Sequence, residues 1–230
     1  MYEKCDIKFG TCVYCGKIRT ITDDHIPPSS IFAKPKPNNL ITVPSCHYCN
    51  QGSSKDDEYF RFTLTIRKDV SQHPDVLMNY PVVLRSLNKE NKIGFKEAIL
   101  NSLKLNDVFT KSGIYIGKEN TMDIDLLRLN KVVERIIKGL FYNHSKQILP
   151  LNYKTVAYNI DCFKYFSSDL LLESKKNILD PLRTEKIFVI GNNTFEYKYK
   201  FANDNRNISV WSLRFYNKVY FFGATLPLNL

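Results

Sequence analysis

The sequence predicts an α+β protein, and three observations carry this prediction. Two pairs of closely spaced cysteines enclose a proline-rich loop within residues 9–65. Apolar residues then recur at helical spacing, and after Pro150 they alternate or form short runs. Helices followed by a series of strands are typical of the α+β class. We therefore expect a small cysteine-rich N-terminal domain, a helical segment and a C-terminal antiparallel sheet.

The chain of 230 residues is long enough for one large or two small domains with a real core. The change in pattern predicts a boundary after residue 68, with an N-terminal domain over residues 1–68 and an α+β region over residues 69–230. No apolar run approaches the ~20 residues that a membrane span needs. The first residues, MYEKCDIKFG, lack the apolar stretch of a signal peptide, so we expect a cytoplasmic protein without a membrane partner.

The net charge of +10 suits a polyanionic partner. Residues 1–68 contribute +3, residues 69–145 contribute +2 and residues 146–230 contribute +5. A lysine or arginine that neutralises a phosphate releases counterions, which favours binding to nucleic acid. A basic chain also arises without any role in nucleic-acid binding, so charge alone leaves both interpretations open.

Three segments are predicted to be helical. The first, NQGSSKDDEYFRFTLTIRK, follows the second cysteine pair and begins with polar residues. The second is NKIGFKEAILNSLKL, and the third is DIDLLRLNKVVERIIKGLFYNH. In the third segment one apolar face is expected to hold Leu126, Leu129, Val133, Ile136 and Leu140.

Five strands are predicted after Pro150. Their segments are YKTVAYNIDCF, EKIFVIGNN, TFEYKYKFA, NISVWSLRFYN and KVYFFGATL. Gly-Asn-Asn at 191–193 and Asn-Asp-Asn at 203–205 are turn signals between them. Trp211 is expected in the core, Cys5 and Cys162 as ordinary thiols, and His73 and His144 as surface residues without a sequence partner.

The four cysteines predict a zinc site. Cys12 with Cys15, and Cys46 with Cys49, form two Cys-x-x-Cys pairs that can close a tetrahedral site with four thiolates. In a reducing compartment such pairs are more often metal ligands than disulfides. A closed four-thiolate site has no open position for water or substrate, so the zinc would be structural. Any chemistry must then come from other residues.

Asp24 and His25 lie in the loop between the cysteine pairs. A carboxylate oxygen suits Mg²⁺ or Mn²⁺, and an imidazole can accept a proton from water at neutral pH. Neighbouring side chains of an extended strand point to opposite faces, so we expect a turn or bulge to bring both to one centre. Pro27 and Pro28 restrict the backbone that follows. The alternative is a polar surface histidine.

Three further residues are candidates for the same centre. Asn50 follows the last cysteine, and its amide oxygen can bind a metal ion, although it could equally cap a helix. Asn39 can hydrogen-bond backbone across the loop and hold the strand of His25. If a helix opens at Asn50, Ser54 and Asp57 share its face, so Asp57 is a further metal-ligand candidate, with a solvated acidic turn as the alternative.

These residues resemble the motif of the HNH endonucleases of the ββα-metal class. The matching residues are Cys12-x-x-Cys15, Asp24-His25 before Ile26-Pro27, Asn39-Leu40 and Cys46-x-x-Cys49-Asn50. The resemblance covers residues 9–65, about a quarter of the chain. It implies that residues 1–68 form a zinc-bound ββα-metal nuclease domain in which the four cysteines are a scaffold.

The resemblance also implies a role for each matching polar residue. His25 would activate the attacking water, Asp24 and Asn50 would hold one divalent metal ion, Mg²⁺ or Mn²⁺, and Asn39 would orient the loop of His25. The expected activity is hydrolysis of DNA phosphodiester bonds to 5′-phosphate and 3′-hydroxyl ends, in phage defence or in a mobile element. Residues 69–230 would bind substrate, a regulatory protein or a second copy. The alternative is a non-catalytic zinc-binding nucleic-acid adaptor.

Overall fold

The computed structural model describes residues 8–160, 169, 173, 176 and 179–229. Cys5 and Cys162 therefore lie outside the described residues, as does the end of the first predicted C-terminal strand. Within the described residues the protein has mixed α and β structure, with helices in the middle of the chain and an antiparallel C-terminal sheet. The predicted α+β class is confirmed.

The N-terminal region combines a small sheet with two short helices. Strands β1 (Phe9–Thr11), β2 (Ile18–Ile26) and β3 (Ile41–Cys46) form an antiparallel sheet in the order β1-β2-β3. Helices α1 (His47–Gly52) and α2 (Ser54–Thr65) follow directly. The predicted helix after the second cysteine pair is thus two helices, and it starts three residues before Asn50.

The middle of the chain holds three helices and a hairpin. The helices are α3 (Pro74–Leu87), α4 (Ile93–Ser102) and α5 (Leu126–Ser145). Strands β4 (Leu103–Phe109) and β5 (Tyr115–Met122) pair with each other as a separate two-stranded sheet. The prediction that the second helix continues to Leu105 is wrong, because the Leu103-Lys104-Leu105 alternation begins β4.

The C-terminal sheet confirms all five predicted strands within the described residues. Its strands are β6 (Tyr153–Asn159), β7 (Phe188–Ile190), β8 (Phe195–Phe201), β9 (Ser209–Phe215) and β10 (Val219–Pro227). They lie in the order β6-β10-β9-β8-β7, and every neighbouring pair is antiparallel. Trp211 is fully buried, as expected.

Helix α5 packs against β2 and β3 of the N-terminal sheet and against β6 and β10 of the C-terminal sheet. Leu129, Val133, Ile136 and Leu140 are buried on its inner face, as predicted. Leu126 is 37% exposed, so its assignment to the buried face is wrong. It is the first residue of the helix, directly after the capping Asp125, where the helix has not yet reached the core.

One hydrophobic core runs through both predicted regions. It joins side chains of the N-terminal sheet and α2, such as Val43 and Phe60, to α5 and to the C-terminal Trp211 and Phe221. The domain boundary after residue 68 stays a prediction. Residues on both sides of it contribute side chains to this core. None of the helices within the described residues is long and apolar enough to cross a membrane.

The surface placement of two histidines is wrong. His73 is only 8% exposed and caps α3, where its Nδ1 accepts a hydrogen bond from the Asp75 backbone N–H at 3.2 Å. His144 is partly buried, and its Nε2 lies 2.9 Å from the Tyr197 hydroxyl. Burial, with a smaller contribution from Lys146, lowers the pKa of His144 to about 4.

Candidate functional site

The four predicted cysteine ligands form one cluster. Their Sγ atoms all lie within 4.8 Å of one another, and the Sγ atoms of Cys15 and Cys46 are 3.9 Å apart. A tetrahedral site with Zn–S bonds of about 2.3 Å requires sulfur–sulfur distances of about 3.8 Å. Cys12 and Cys46 are buried, while Cys15 and Cys49 are partly buried. The cluster therefore fits a structural zinc ion.

Local backbone geometry explains why the two pairs meet. After the first pair the chain turns at Gly16, whose φ of +67° favours glycine and whose N–H donates to the Cys12 carbonyl at 2.9 Å. The Val13 N–H donates to the Pro44 carbonyl at 3.0 Å, which ties this turn to β3. Cys46 ends β3 and Cys49 lies in the first turn of α1, so the strand-to-helix junction presents the second pair.

Two of the thiols have pKa values shifted in opposite directions. Burial acts to raise the pKa of Cys12, but backbone N–H groups of Cys46, Cys15 and Tyr14 outweigh it and lower the value to about 7. Burial raises the pKa of Cys49, and the neighbouring thiols raise it further. Without a cation, four crowded thiolates would repel one another, so metal binding resolves this conflict.

A separate open cleft of about 440 Å³ lies beside the cysteine cluster. It is lined by four of the residues that the sequence singles out, namely Asp24, His25, Asn50 and Asp57. The rest of the lining includes Asp23 and Glu58 and the cations Lys55, Arg61 and Lys92. The sequence-based grouping of a carboxylate, an imidazole and an amide is therefore present in one cleft.

Asp24 and His25 reach the cleft from a regular strand. The pairing of β2 with β3 runs without a shift from Ile21 to Ile26, so the expected turn or bulge is absent from this stretch. Asp24 is 8% exposed, and its Oδ2 accepts a hydrogen bond from the Tyr14 hydroxyl at 2.7 Å. The Nδ1 of His25 is buried and makes no hydrogen bond to any described residue.

Asn50 lies inside α1 and does not cap it. The capping position is Cys46, so the alternative interpretation of Asn50 as a helix cap is not supported. Its Nδ2 donates to Thr22 Oγ1 at 3.2 Å, which joins α1 to β2. With the amide nitrogen on Thr22, the amide oxygen is the atom that can bind a cation in the cleft.

Asn39 hydrogen-bonds backbone atoms, but not those of the loop that carries His25. Its Nδ2 donates to the Val189 carbonyl at 2.9 Å, and its Oδ1 accepts from the Gly191 N–H at 3.3 Å. The amide therefore anchors the loop before β3 to the end of β7 in the C-terminal sheet. The expected bond across the His25 loop is replaced by a bond between residues 150 positions apart in sequence.

Asp57 is held by an arginine of α5. Both of its carboxylate oxygens accept from Arg135 Nη2, at 2.5 and 2.7 Å. Burial acts to lower the pKa of Arg135, but the adjacent Asp57 outweighs this and raises it, so the guanidinium is charged. In this arrangement Asp57 is an ion-pair partner, and the suggestion that it binds the catalytic metal is not supported.

Three residues of the site escaped the sequence interpretation. Tyr14 and Arg135 contact the cleft carboxylates from ten and 78 residues away in sequence. Burial, and then the charge of Asp24, raise the pKa of Tyr14, so its hydroxyl stays a donor. Arg61 lines the cleft, and its buried Nε has no hydrogen-bond partner in the described part of the chain. Arg61 follows Asn50 and Ser54 at helical spacing, and this spacing is the sequence signal that could have identified it.

The charged side chains of the cleft nearly balance. Four carboxylates and three cationic side chains line it. Glu58 is paired with Lys92, and Asp57 is paired with Arg135, which is outside the lining. The remaining charges are those of Asp23, Asp24, Lys55 and Arg61, so a divalent cation bound at Asp24 would make the cleft positive and able to attract a phosphate.

In comparisons with known proteins, no protein-family model, no curated protein and no solved structure matches this chain. The functional assignment of the cleft therefore depends on its residues and their geometry.

Proposed function

We propose that the protein is a metal-dependent endonuclease of the HNH type that hydrolyses DNA phosphodiester bonds in the cleft. The observation that carries this proposal is that Asp24, His25 and Asn50 line one cleft beside a four-cysteine cluster. The two features come from one short segment of the chain, and together they match the motif that the sequence resembles.

In this mechanism His25 is the general base. It accepts a proton from a water molecule, the resulting hydroxide attacks phosphorus, and the bond from phosphorus to the 3′ oxygen breaks. The leaving 3′ oxygen takes a proton from solvent and becomes the 3′-hydroxyl. A positioned base of this kind contributes about 10²–10⁴-fold to the rate. The position of His25 in the lining of the cleft, together with Asp24 and Asn50, supports this role.

Asp24 and Asn50 would hold the catalytic Mg²⁺ or Mn²⁺. Oxygen ligands suit these hard cations, and two protein ligands leave coordination positions for water and phosphate. When bound, the ion supplies a Lewis acid that stabilises negative charge on the phosphoryl and leaving oxygens. The four cysteines would bind a structural Zn²⁺, which has no place in the reaction.

Arg61 would contact a substrate phosphate. It lines the cleft without a partner for its Nε, whereas Lys92 in the same cleft is paired with Glu58. A guanidinium presents a rigid set of donors that suits phosphate oxygens. The net charge of +10 supports a polyanionic substrate over an acidic small molecule, because charge is spread over all three parts of the chain.

A plasmid-nicking assay tests this function. Supercoiled DNA should be converted to nicked circles in the presence of Mg²⁺ or Mn²⁺, and EDTA should stop the reaction. Tight DNA binding without cleavage under every metal condition would favour the zinc-binding adaptor instead. The cytoplasmic location and the role in phage defence or in a mobile element remain proposals that derive from the sequence.

A further inference from the structure

Tyr14 links the cysteine cluster to the carboxylate of the cleft. It lies between Cys12 and Cys15, so the turn that presents the first pair of thiols also places its ring. Its hydroxyl donates to Oδ2 of Asp24 at 2.7 Å. On another side its ring lies 5.9 Å from the guanidinium of Arg135, which binds Asp57.

We propose that Tyr14 is the positioning residue of the catalytic metal site: the zinc-bound turn holds its hydroxyl against Asp24 and so fixes the carboxylate that binds the metal ion. This inference rests on the proposed function of the cleft. With Oδ2 engaged by Tyr14, Oδ1 is the oxygen left for the cation. Groups that hydrogen-bond a metal-binding carboxylate orient it and commonly affect metal affinity about 10–100-fold.

The second cysteine pair indicates that this contact is not a general requirement of zinc binding. Tyr48 occupies the same position between Cys46 and Cys49 that Tyr14 occupies between Cys12 and Cys15. Its side chain is nevertheless 76% exposed. A four-cysteine cluster therefore tolerates a solvent-exposed tyrosine at this position, and the contact of Tyr14 with Asp24 is not imposed by the cysteines.

The arrangement couples the two metal sites. Zinc fixes the turn, the turn fixes Tyr14, and Tyr14 fixes Asp24. Coupling of two binding equilibria is reciprocal. If bound zinc increases the affinity of the cleft for its metal ion by some factor, an ion bound at Asp24 must increase the affinity for zinc by the same factor. The zinc ion, although structural, would thus regulate how well the cleft binds its catalytic ion.

Titration of the zinc-loaded protein with Mn²⁺ in a calorimeter tests the proposal. Tyr14→Phe keeps the ring beside Arg135 and removes only the hydroxyl, and it should weaken Mn²⁺ binding by about tenfold. Tyr48→Phe is the matched control and should bind as the wild type does. In nicking assays the Mn²⁺ concentration for half-maximal rate should rise in Tyr14→Phe, while the rate at saturating Mn²⁺ changes much less. Zinc content should be equal in all three proteins.

A second measurement needs no variant. Zinc affinity of the wild type, determined by competition with a zinc-selective chelator, should increase when Mg²⁺ saturates the cleft. If zinc affinity is independent of Mg²⁺, the coupling is absent and the proposal is overturned.

The outcomes separate this inference from the proposed function. Equal Mn²⁺ affinity in the wild type and Tyr14→Phe would overturn the positioning role and leave the nuclease proposal intact, provided that Asp24→Asn abolishes binding. If Asp24→Asn binds Mn²⁺ as well as the wild type, the metal site itself is wrong, and both proposals fall.

Discussion

At the scale of single residues, the ion pair of Asp57 and Arg135 is expected to be sensitive to substitution because it is largely buried. Their side chains are only 19% and 10% exposed, and two further nitrogens of Arg135 are buried without a hydrogen-bond partner among the described residues. Removing one partner of a buried pair leaves an uncompensated charge. Asp57→Asn should therefore lower the free energy of unfolding by about 3 kcal/mol, measured by urea denaturation.

The neighbouring Asp56 provides the control for this prediction. Its ion pair with Arg128 has side chains that are 32% and 30% exposed, and such pairs contribute little. Asp56→Asn should cost less than about 1 kcal/mol. Equal losses for the two variants would mean that burial of the Asp57 pair has no energetic consequence.

His144 predicts a pH dependence of stability. Its pKa is about 4 in the folded protein because of burial, against an ordinary value of about 6.5 in the unfolded chain. Between these values the unfolded state binds a proton that the folded state does not, so stability falls as the pH falls from about 6.5 to 4. His144→Gln should show a smaller decrease in melting temperature over this range, and parallel curves would contradict the assignment.

The sequence predicted the groupings whose signal is local. The four cysteines form one cluster, and Asp24, His25 and Asn50 line one cleft, as their spacing in the sequence suggested. The structural partners could not be predicted, because their contacts are created by the tertiary fold. Arg135 meets Asp57 across 78 residues, and Asn39 meets the C-terminal sheet across 150. A surface position was expected for His144 because its partner, Tyr197, is 53 residues away in sequence.

At the scale of elements, the close packing of α5 on β2 determines where His25 lies. A Cβ added at Gly139 would come within 2.6 Å of Ile26, the residue that follows His25. Gly139→Ala should therefore destabilise the protein by about 1–3 kcal/mol in spite of alanine's better helix propensity, and should also slow nicking. Urea denaturation and the nicking rate measure the two effects.

Gly94 in α4 is the matched control for Gly139. A Cβ at this position meets no atom within 4 Å. Gly94→Ala should stabilise the protein by about 0.5 kcal/mol and leave nicking unchanged. A stabilising effect at Gly139 as well would show that α5 and β2 are packed less closely than the 2.6 Å approach to Ile26 implies.

Strands and helices differed in how well their patterns predicted them. The C-terminal strands carry period-two patterns bounded by turn residues, and each was found in the expected segment within the described residues. The hairpin of β4 and β5 was not predicted. Leu103, at its start, continues the helical spacing of the apolar residues of α4. Local pattern alone could not decide where that helix ends.

At the scale of the whole molecule, the continuous core predicts that folding depends on zinc. We expect about one zinc ion per chain, because the four thiols form a single closed site. Removing zinc with a chelator should unfold the N-terminal region and, through the shared core, disturb the C-terminal sheet. The fluorescence of Trp211, the single tryptophan and fully buried, should shift to longer wavelength.

Two results would contradict this dependence on zinc. A zinc-free protein with an unchanged melting temperature would mean that the cluster is not a scaffold. Loss of zinc without a change in Trp211 fluorescence would mean that the N-terminal region unfolds alone, as two independent domains divided after residue 68 would.

The most direct test of the central claim is the rate of plasmid nicking by His25→Ala compared with the wild type, in Mg²⁺ or Mn²⁺. His25 has no bond to zinc and is assigned as the base, so its loss should reduce the rate at least ~10²-fold while zinc content and DNA binding persist. If the His25→Ala protein nicks DNA at the wild-type rate, the cleft is not the active site of an endonuclease.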